Sequence, residues 1–327
     1  MAPFTENHAA SLAALGEVEL IAHIRDWLGQ ANPPAPGGIG DDCAVLPDSP
    51  APNLVTVDPV VYGRHFDDST PPELAGAKLI KRNLSDIAAM GGEPTSGVLA
   101  LAAAPDISLA WLEKFIRGMA DVCIEFSTTI VGGDIAELPK GNFVATLTLL
   151  GHAGRKLLRS GGQAGDLIFV TGTLGGSLSG KHLSFTPRVK EGFWLAQRSE
   201  VVAMMDLTDG LAKDLPAMLA NGTCAMLDTA NIPVSQDAHT MSTDSGKSAL
   251  EHACCDGEDY ELLLIVSASA NIEDLEQAWS ERFDTRLTCI GKIDTTNTQG
   301  HSRALIDTNS GKPLFPNGGY QHLKSNA

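Results

Sequence analysis

Gly38-Ile39-Gly40-Asp41-Asp42-Cys43-Ala44-Val45-Leu46 sets two adjacent carboxylates between a glycine turn and an apolar run. Adjacent carboxylates repel unless they face water or share a cation. A second apolar run, Leu54 to Val61, carries a third carboxylate at Asp58, and His65 follows it. Both runs read as strands. Carboxylates beside glycine-rich turns suit Mg²⁺, which takes hard oxygen ligands and usually binds one or two carboxylates plus phosphates. An acidic surface turn is the competing reading of this stretch alone. More carboxylates in similar settings elsewhere would decide between the two.

The chain has 327 residues, 43% apolar and 19% charged, which suits a globular protein of two domains or one large one. Its formal net charge of −17 argues against a nucleic-acid or anionic-membrane partner. A polyphosphate ligand shares a site with carboxylates only through metal ions. No apolar run reaches the roughly 18 residues of a membrane span. The first ten residues contain Glu6 and lack the pattern of a signal peptide. Six cysteines without CxxC spacing indicate neither zinc nor a disulfide framework, so a reducing, cytoplasmic setting is expected. The vicinal pair Cys254-Cys255 reads as packing.

Helical spacing runs through Val18, Leu20, Ile21, Ile24, Trp27 and Leu28. A second helix is expected from about Glu73 to Met90, stopped by Gly91-Gly92, with Asn83 and Asp86 on one face. Val98 to Ala103 reads as a strand, and Ser108 as the cap of the next helix. Ile130-Val131 reads as a short strand that meets Gly132-Gly133-Asp134 at its end. Phe143 to Leu150 reads as a half-buried strand. The character changes near Gly151 to Gly154, where the domain boundary is placed: 1–153 and 154–327. Asp166 to Thr171, Glu261 to Val266 and Thr288 to Ile293 read as strands, and Ile272 to Phe283 as a helix. Asp209 can cap a helix to about Leu219, which Pro216 should kink. Asn221 to His252 gives weak signals. Gly175 to Lys181 nearly spells a phosphate-binding loop but has His182 where Ser or Thr should meet Mg²⁺.

Carboxylates thus recur at strand ends and beside glycines: Asp41/Asp42, Asp58, Asp86, Asp134, Asp206/Asp209 and Glu258/Asp259. Each alone could be a turn residue or a cap. Their recurrence in apolar surroundings is explained by a site where several metal ions meet phosphates. Phosphoryl transfer needs little beyond positioning and charge neutralisation, and a cation such as Arg159 could touch the polyphosphate directly.

The ordered segments GIGDDCAVL, TVDPVVYGRHF, KLIKRNLSDIAAMGGEP, VGGD, RSGGQAGDLIFVTGTLGG, TPRVKEG, DLTDGL and DGEDYELLL resemble the thiamine-monophosphate kinase family, from about Glu17 to Tyr320. That family belongs with aminoimidazole ribonucleotide synthetase, selenophosphate synthetase and the hydrogenase-maturation carbamoyl-dehydrating enzyme. The resemblance implies an α/β (α+β) fold of two domains: an N-terminal dimerising, ATP/Mg-binding domain and a ferredoxin-like C-terminal domain that completes the active site in the cleft between them. It implies ATP-dependent phosphorylation of thiamine monophosphate to thiamine diphosphate, with several Mg²⁺ ions and a homodimer. By motif, Asp42, Thr56, Asp58, Asp86, Asp134, Asp206 and Asp209 would hold metal. Gly133, Asp134, Arg159 and Thr208 would contact ATP. His65, Glu258 and Asn317 would face the thiamine phosphate. No residue beyond these ligands is implied as catalytic.

The chain departs from the family pattern at five places. Val57 replaces a threonine, which would alter a metal-facing contact. Ile135-Ala136-Glu137 replaces a Thr-Thr-Arg-Gly-like turn, Asp256 a glycine, and Pro216 a residue better suited to a helix. Asn317 falls where an aromatic is expected near the thiamine rings. The metal ligands are retained, and the departures gather on the acceptor side. The alternative is a related ATP-dependent phosphotransferase or synthetase acting on another small phosphorylated or acyl substrate. A silent nucleotide-binding or dimerisation protein is a third reading, which the full set of aspartates opposes.

Overall fold

The computed structural model describes residues 2–15, 17–34, 39, 53–295, 302–316 and 318–320. The opening stretch is therefore outside the described residues except Ile39, and so are Asp42 and Asn317. The chain divides into two compact units, Met1–Ile87 with Gly92–Gly154, and Ala88–Gly91 with Arg155–Ala327.

The first unit contains α1 (Glu17–Leu28), β1 (Leu54–Val61), α2 (Pro72–Ala89), β2 (Glu93–Ala103), α3 (Leu109–Glu125), β3 (Thr129–Glu137) and β4 (Phe143–His152). Its sheet has the order β1-β4-β2-β3, with β2 and β3 parallel and β4 antiparallel to both β1 and β2. A parallel pair needs a crossover, and α3 supplies it. Ser108 caps α3 as expected, accepting from the amide of Trp111. Burial along the strands has the period of two that sets side chains on opposite faces. Leu99, Leu101, Ala145, Leu147 and Leu149 are buried. On β1, Leu54 and Val60 are buried, whereas Val55 is 69% and Val57 58% exposed.

Two expectations change here. Val57 was expected to alter a metal-facing contact. In the strand it lies on the same face as Val55, opposite to Thr56 and Asp58, because one residue along a strand reverses the side. Gly132-Gly133-Asp134 was expected to end a short strand, but β3 continues through it to Glu137. A side chain at Gly133 would come within 2.0 Å of the Leu99 carbonyl, so the close β2–β3 pairing itself requires glycine there.

The second unit contains β5 (Leu167–Thr171), α4 (Lys181–Ser184), α5 (Val189–Ala196), β6 (Val201–Asp206), α6 (Leu211–Met218), β7 (Thr223–Leu227), α7 (Gln236–Ser245), α8 (Ala249–Cys255), β8 (Leu262–Val266), α9 (Ile272–Ser280), β9 (Leu287–Thr295) and β10 (Leu305–Asp307). The sheet order is β10-β7-β9-β5-β8-β6. Within it, β9-β5-β8-β6 are antiparallel neighbours. With α5 following β5 and α9 following β8, these four strands form the ferredoxin-like βαββαβ pattern. The segment from α6 to α8 is inserted between β6 and β8, and β7 and β10 widen the sheet. Ile168, Val170, Ala203, Leu211, Leu215, Ala225, Leu263, Ile265 and Ile290 form one buried core. Every residue of β8 is buried, as expected of a central strand covered on both faces. Pro216 lies inside α6, which stops two residues later.

No described helix is long and apolar enough to cross a membrane. Cys123, Cys224, Cys254, Cys255 and Cys289 are free thiols, and Cys254 is packed in the core.

Candidate active site

The predicted site residues fall into two groups, one in each unit. In the first unit β1 and α2 bring theirs together. Thr56 and Asp58 share the helix-covered face of β1. The Thr56 hydroxyl donates to the Asp86 carboxylate on α2. Asn83, one turn before Asp86, holds the backbone of Asp58: its side-chain oxygen accepts from the Asp58 amide at 3.1 Å. Its Nδ2 also donates to the Leu79 carbonyl at 2.9 Å. Arg82 donates to the Pro59 carbonyl at 2.7 Å and meets Asp58 Oδ1 at 3.4 Å.

His65 lies in the segment between β1 and α2. Its Nδ1 accepts from the Val61 amide at 3.0 Å, which puts the proton of a neutral ring on Nε2. The Lys78 ammonium, fully buried, donates to the His65 carbonyl at 3.2 Å. Lys78 and Arg82 were not singled out in the sequence, yet their i,i+4 spacing in KLIKR was the available signal. Asp134 is exposed on β3, paired across the strands with Ala100.

In the second unit Asp206 ends β6 and is 3% exposed. Thr208 and Asp209 follow in the turn to α6. The sequence places Asp209 as the helix cap, but the N-cap is Gly210, without a side-chain bond. Asp214, one turn into α6, supplies the acceptor instead. Its Oδ2 accepts from the amides of Thr208 and Asp209, each at 2.9 Å. Burial pushes the Asp214 carboxyl up to about 6 despite these two donors. Asp209 itself pairs with Lys213 at 2.5 Å. Asp214 was missed because its role depends on a turn that closes only when the helix forms.

The loop before β8 is sewn to this turn. The Glu258 amide donates to the Thr208 carbonyl at 2.8 Å, and the Tyr260 amide to the Leu207 carbonyl at 2.8 Å. Leu207 returns a bond to the Glu261 carbonyl at 2.9 Å. At Gly257, φ is +78°, and a side chain would come within 2.7 Å of the Thr208 carbonyl, so the close approach requires glycine. Arg159 is exposed, in a segment that runs beside β6: the Met204 amide donates to the Leu158 carbonyl at 3.0 Å.

Asp259 points the other way, into the unit. It is buried and accepts from the Gly175 amide at 2.8 Å and the Ser177 hydroxyl at 3.0 Å. Lys181, the lysine of the near phosphate-binding loop, donates to Glu261 at 2.9 Å and to the Thr173 carbonyl at 2.8 Å. Its ammonium is engaged by these two partners, which opposes the phosphate-loop reading.

Among the described residues, no three His, Cys, Asp or Glu side chains gather as a complete metal cage. The donors present are hard oxygens in small sets, Thr56 with Asp58 and Asp86, and Asp206 with Asp209. Such sets fit Mg²⁺, which keeps water and phosphate oxygens in its shell rather than an all-protein cage. A soft-metal site would need the thiolates and imidazoles that these sets lack.

Residues 40–153 match the family described as AIR synthase related protein, N-terminal domain. The thiamine-monophosphate kinase of Salmonella typhimurium is 35% identical, over 95% of this chain and 99% of that protein. The crystal structure of thiamine-monophosphate kinase from Stenotrophomonas maltophilia superposes with a TM-score of 0.71 at 30% identity, covering 86% of this chain and 95% of that one. AaThiL complexed with AMPPCP and TMP gives a TM-score of 0.67 at 27% identity, covering 82% and 86%.

Burial pushes the Asp259 carboxyl up to about 7, well above its ordinary 3.8. A raised carboxylate stabilises the fold in its protonated form, fully below its unfolded value and less as pH rises through the folded one. Asp259→Asn keeps an acceptor for Gly175 and Ser177 but cannot ionise. Urea unfolding should therefore show the variant gaining on the wild type as pH rises from about 4 to about 8. A constant difference across that range would contradict the assignment.

Proposed function

Because this chain belongs to the thiamine-monophosphate kinase family, we propose that it transfers the γ-phosphoryl group of ATP to thiamine monophosphate, releasing thiamine diphosphate and ADP. The acceptor is a phosphate already ionised near neutral pH. Its oxygen attacks the γ-phosphorus in line, and no side chain has to remove a proton. The protein's task is positioning and compensation of charge.

In this reading Thr56, Asp58, Asp86, Asp134, Asp206 and Asp209 hold Mg²⁺, together with Asp42. Bound there, Mg²⁺ would neutralise and bridge the phosphates. Arg82 and Lys213 now sit on Asp58 and Asp209 and would share those carboxylates with the metal. Gly133, Asp134, Arg159 and Thr208 are assigned to ATP, and His65, Glu258 and Asn317 to thiamine monophosphate. The first unit supplies the dimerising and ATP/Mg side, and the second completes the site.

The observation that carries the reading is the seam between the 206–210 turn and the 257–261 loop. Through the Glu258-to-Thr208 bond, one rigid piece presents an ATP-side residue, a pair of candidate metal carboxylates and an acceptor-side glutamate. The relative named with AMPPCP and TMP supports the same two substrates for this chain. We further read the chain as a homodimer. Val55, Val57 and Val98 are exposed on strands of the first sheet, a row of apolar side chains that a second copy would cover.

With ATP, Mg²⁺ and thiamine monophosphate, the purified protein should form thiamine diphosphate, followed by chromatography. Asp58→Asn and Asp209→Asn should each cut the rate by about 100-fold or more while circular dichroism stays unchanged. Arg159→Ala should mainly raise the ATP concentration required. ATP turnover with another acceptor, and no thiamine diphosphate, would favour the related synthetase or phosphotransferase instead. Sedimentation equilibrium should return the mass of two chains, and Val57→Glu should lower it to one; a wild-type monomer would remove the dimer.

A further inference from the structure

Two residues of the acceptor-side loop, Glu258 at φ 55° and Tyr260 at φ 51°, hold the left-handed conformation that side chains other than glycine rarely adopt. Such conformations persist only where the surroundings over-determine them, and they gather at functional sites. The seam to Leu207 and Thr208 fixes the upper side of this loop. Its lower side is fixed by a buried ionic network that the transfer reaction does not use.

Glu261 is the centre of that network. It is 1% exposed, and its carboxylate receives four donors. Arg188 grips it with both arms, Nε to Oε2 at 2.8 Å and Nη2 to Oε1 at 2.9 Å. Lys181 donates to Oε1 at 2.9 Å, and the Thr171 hydroxyl to Oε2 at 2.8 Å. Arg188 is itself tied to the Thr285 hydroxyl at 3.0 Å and to Glu191 at 3.4 Å. The planar guanidinium fork fixes orientation as well as distance, which a single ammonium cannot do. Removing one partner from a buried pair leaves the other without compensation.

Two further contacts carry this anchoring up to Glu258. The Tyr260 ring stacks on Phe185, with centroids 4.0 Å apart and an interplanar angle of 10°. The Tyr260 hydroxyl donates to Glu258 Oε1 at 3.4 Å. Phe185 immediately precedes the TPRVKEG segment, whose third residue is Arg188, so one short stretch supplies both the fork and the stacking ring.

We propose that Glu261, gripped by Arg188 and Lys181, is the positioning residue of the acceptor side: it locks the 257–260 loop in its left-handed course and so sets where Glu258 meets thiamine monophosphate. This rests on the function proposed above. Glu261 touches no reacting atom and acts through Glu258 alone. Loss of the lock therefore loosens the acceptor subsite, while the nucleotide side keeps its own support, because Asp214 still accepts from the amides of Thr208 and Asp209.

The test uses the full-length protein and Glu261→Gln, which keeps the shape and removes the charge. Hydrogen exchange in the ligand-free protein should show the Glu258 and Tyr260 amides exchanging about tenfold faster or more, with the β8 amides unchanged. KM for thiamine monophosphate should rise by about tenfold or more, with KM for ATP and kcat within about threefold. Arg188→Lys, which keeps a cation but loses the fork, should shift both readouts in the same direction, and it carries the test if Glu261→Gln does not fold. Unchanged exchange at Glu258 and Tyr260 would overturn the lock. Faster exchange with an unchanged KM for thiamine monophosphate, or equal rises in both KM values, would overturn its role in specificity. A wild-type protein that forms no thiamine diphosphate would sink the proposed function, while the exchange readout still decides the lock.

Discussion

A carboxylate kept inside a fold must be compensated by donors or cations, and this acidic chain meets that demand at nearly every point that shapes the candidate site. Asp58 has Arg82 at its side chain and Asn83 at its backbone. Asp86 takes the Thr56 hydroxyl. Asp214 takes two turn amides, and Glu261 takes Arg188, Lys181 and Thr171. These pairings are the fasteners of the local structure. α2 is held to β1 through Asn83 and Arg82, and the 206–210 turn is held to α6 through Asp214. Single buried pairs add little net stability, since desolvation offsets attraction. Their value is geometric, because each permits one arrangement of the chain.

That division separates two kinds of acidic residue. Asp214, Asp259 and Glu261 face inward and serve the fold. Asp58 on β1, Asp86 on α2 and Asp209 in the turn before α6 are partly exposed and stand at positions assigned to metal, joined by Asp206, which is buried at the end of β6. The inward group sets the outward group. Asp214 shapes the turn that carries Asp209, and Glu261 underlies the loop that carries Glu258. Function in this reading depends on stiff supports more than on reactive side chains, as expected for transfer between phosphates.

Much of this was legible in the sequence where the signal is local. The periodicity of α1 gave its limits, Ser108 marked the start of α3, and alternation marked β4. Candidate carboxylates were found because they sit next to glycines and apolar runs. Pairings distant in sequence were hidden. Arg188 and Glu261 are 73 residues apart, and nothing in either segment announces the other. Lys181 stands at the lysine position of a near phosphate-binding loop, a match already broken at His182; that it pairs instead with Glu261, 80 residues away, was not legible. Motif position alone did not show which way Val57 faces; strand period sends its side chain to the open face with Val55. The α6–α8 insertion carries β7, α7 and α8 in a stretch whose polar composition conceals them.

The central claim is that this acidic fold receives a polyphosphate only through divalent cations held by its outward carboxylates. Calorimetric titration of the full-length protein with AMPPCP tests it most directly, with Mg²⁺ in one experiment and EDTA in the other. The account predicts binding about 100-fold tighter or more with Mg²⁺, and loss of that gain in Asp58→Asn. Equal affinity in Mg²⁺ and EDTA would contradict it.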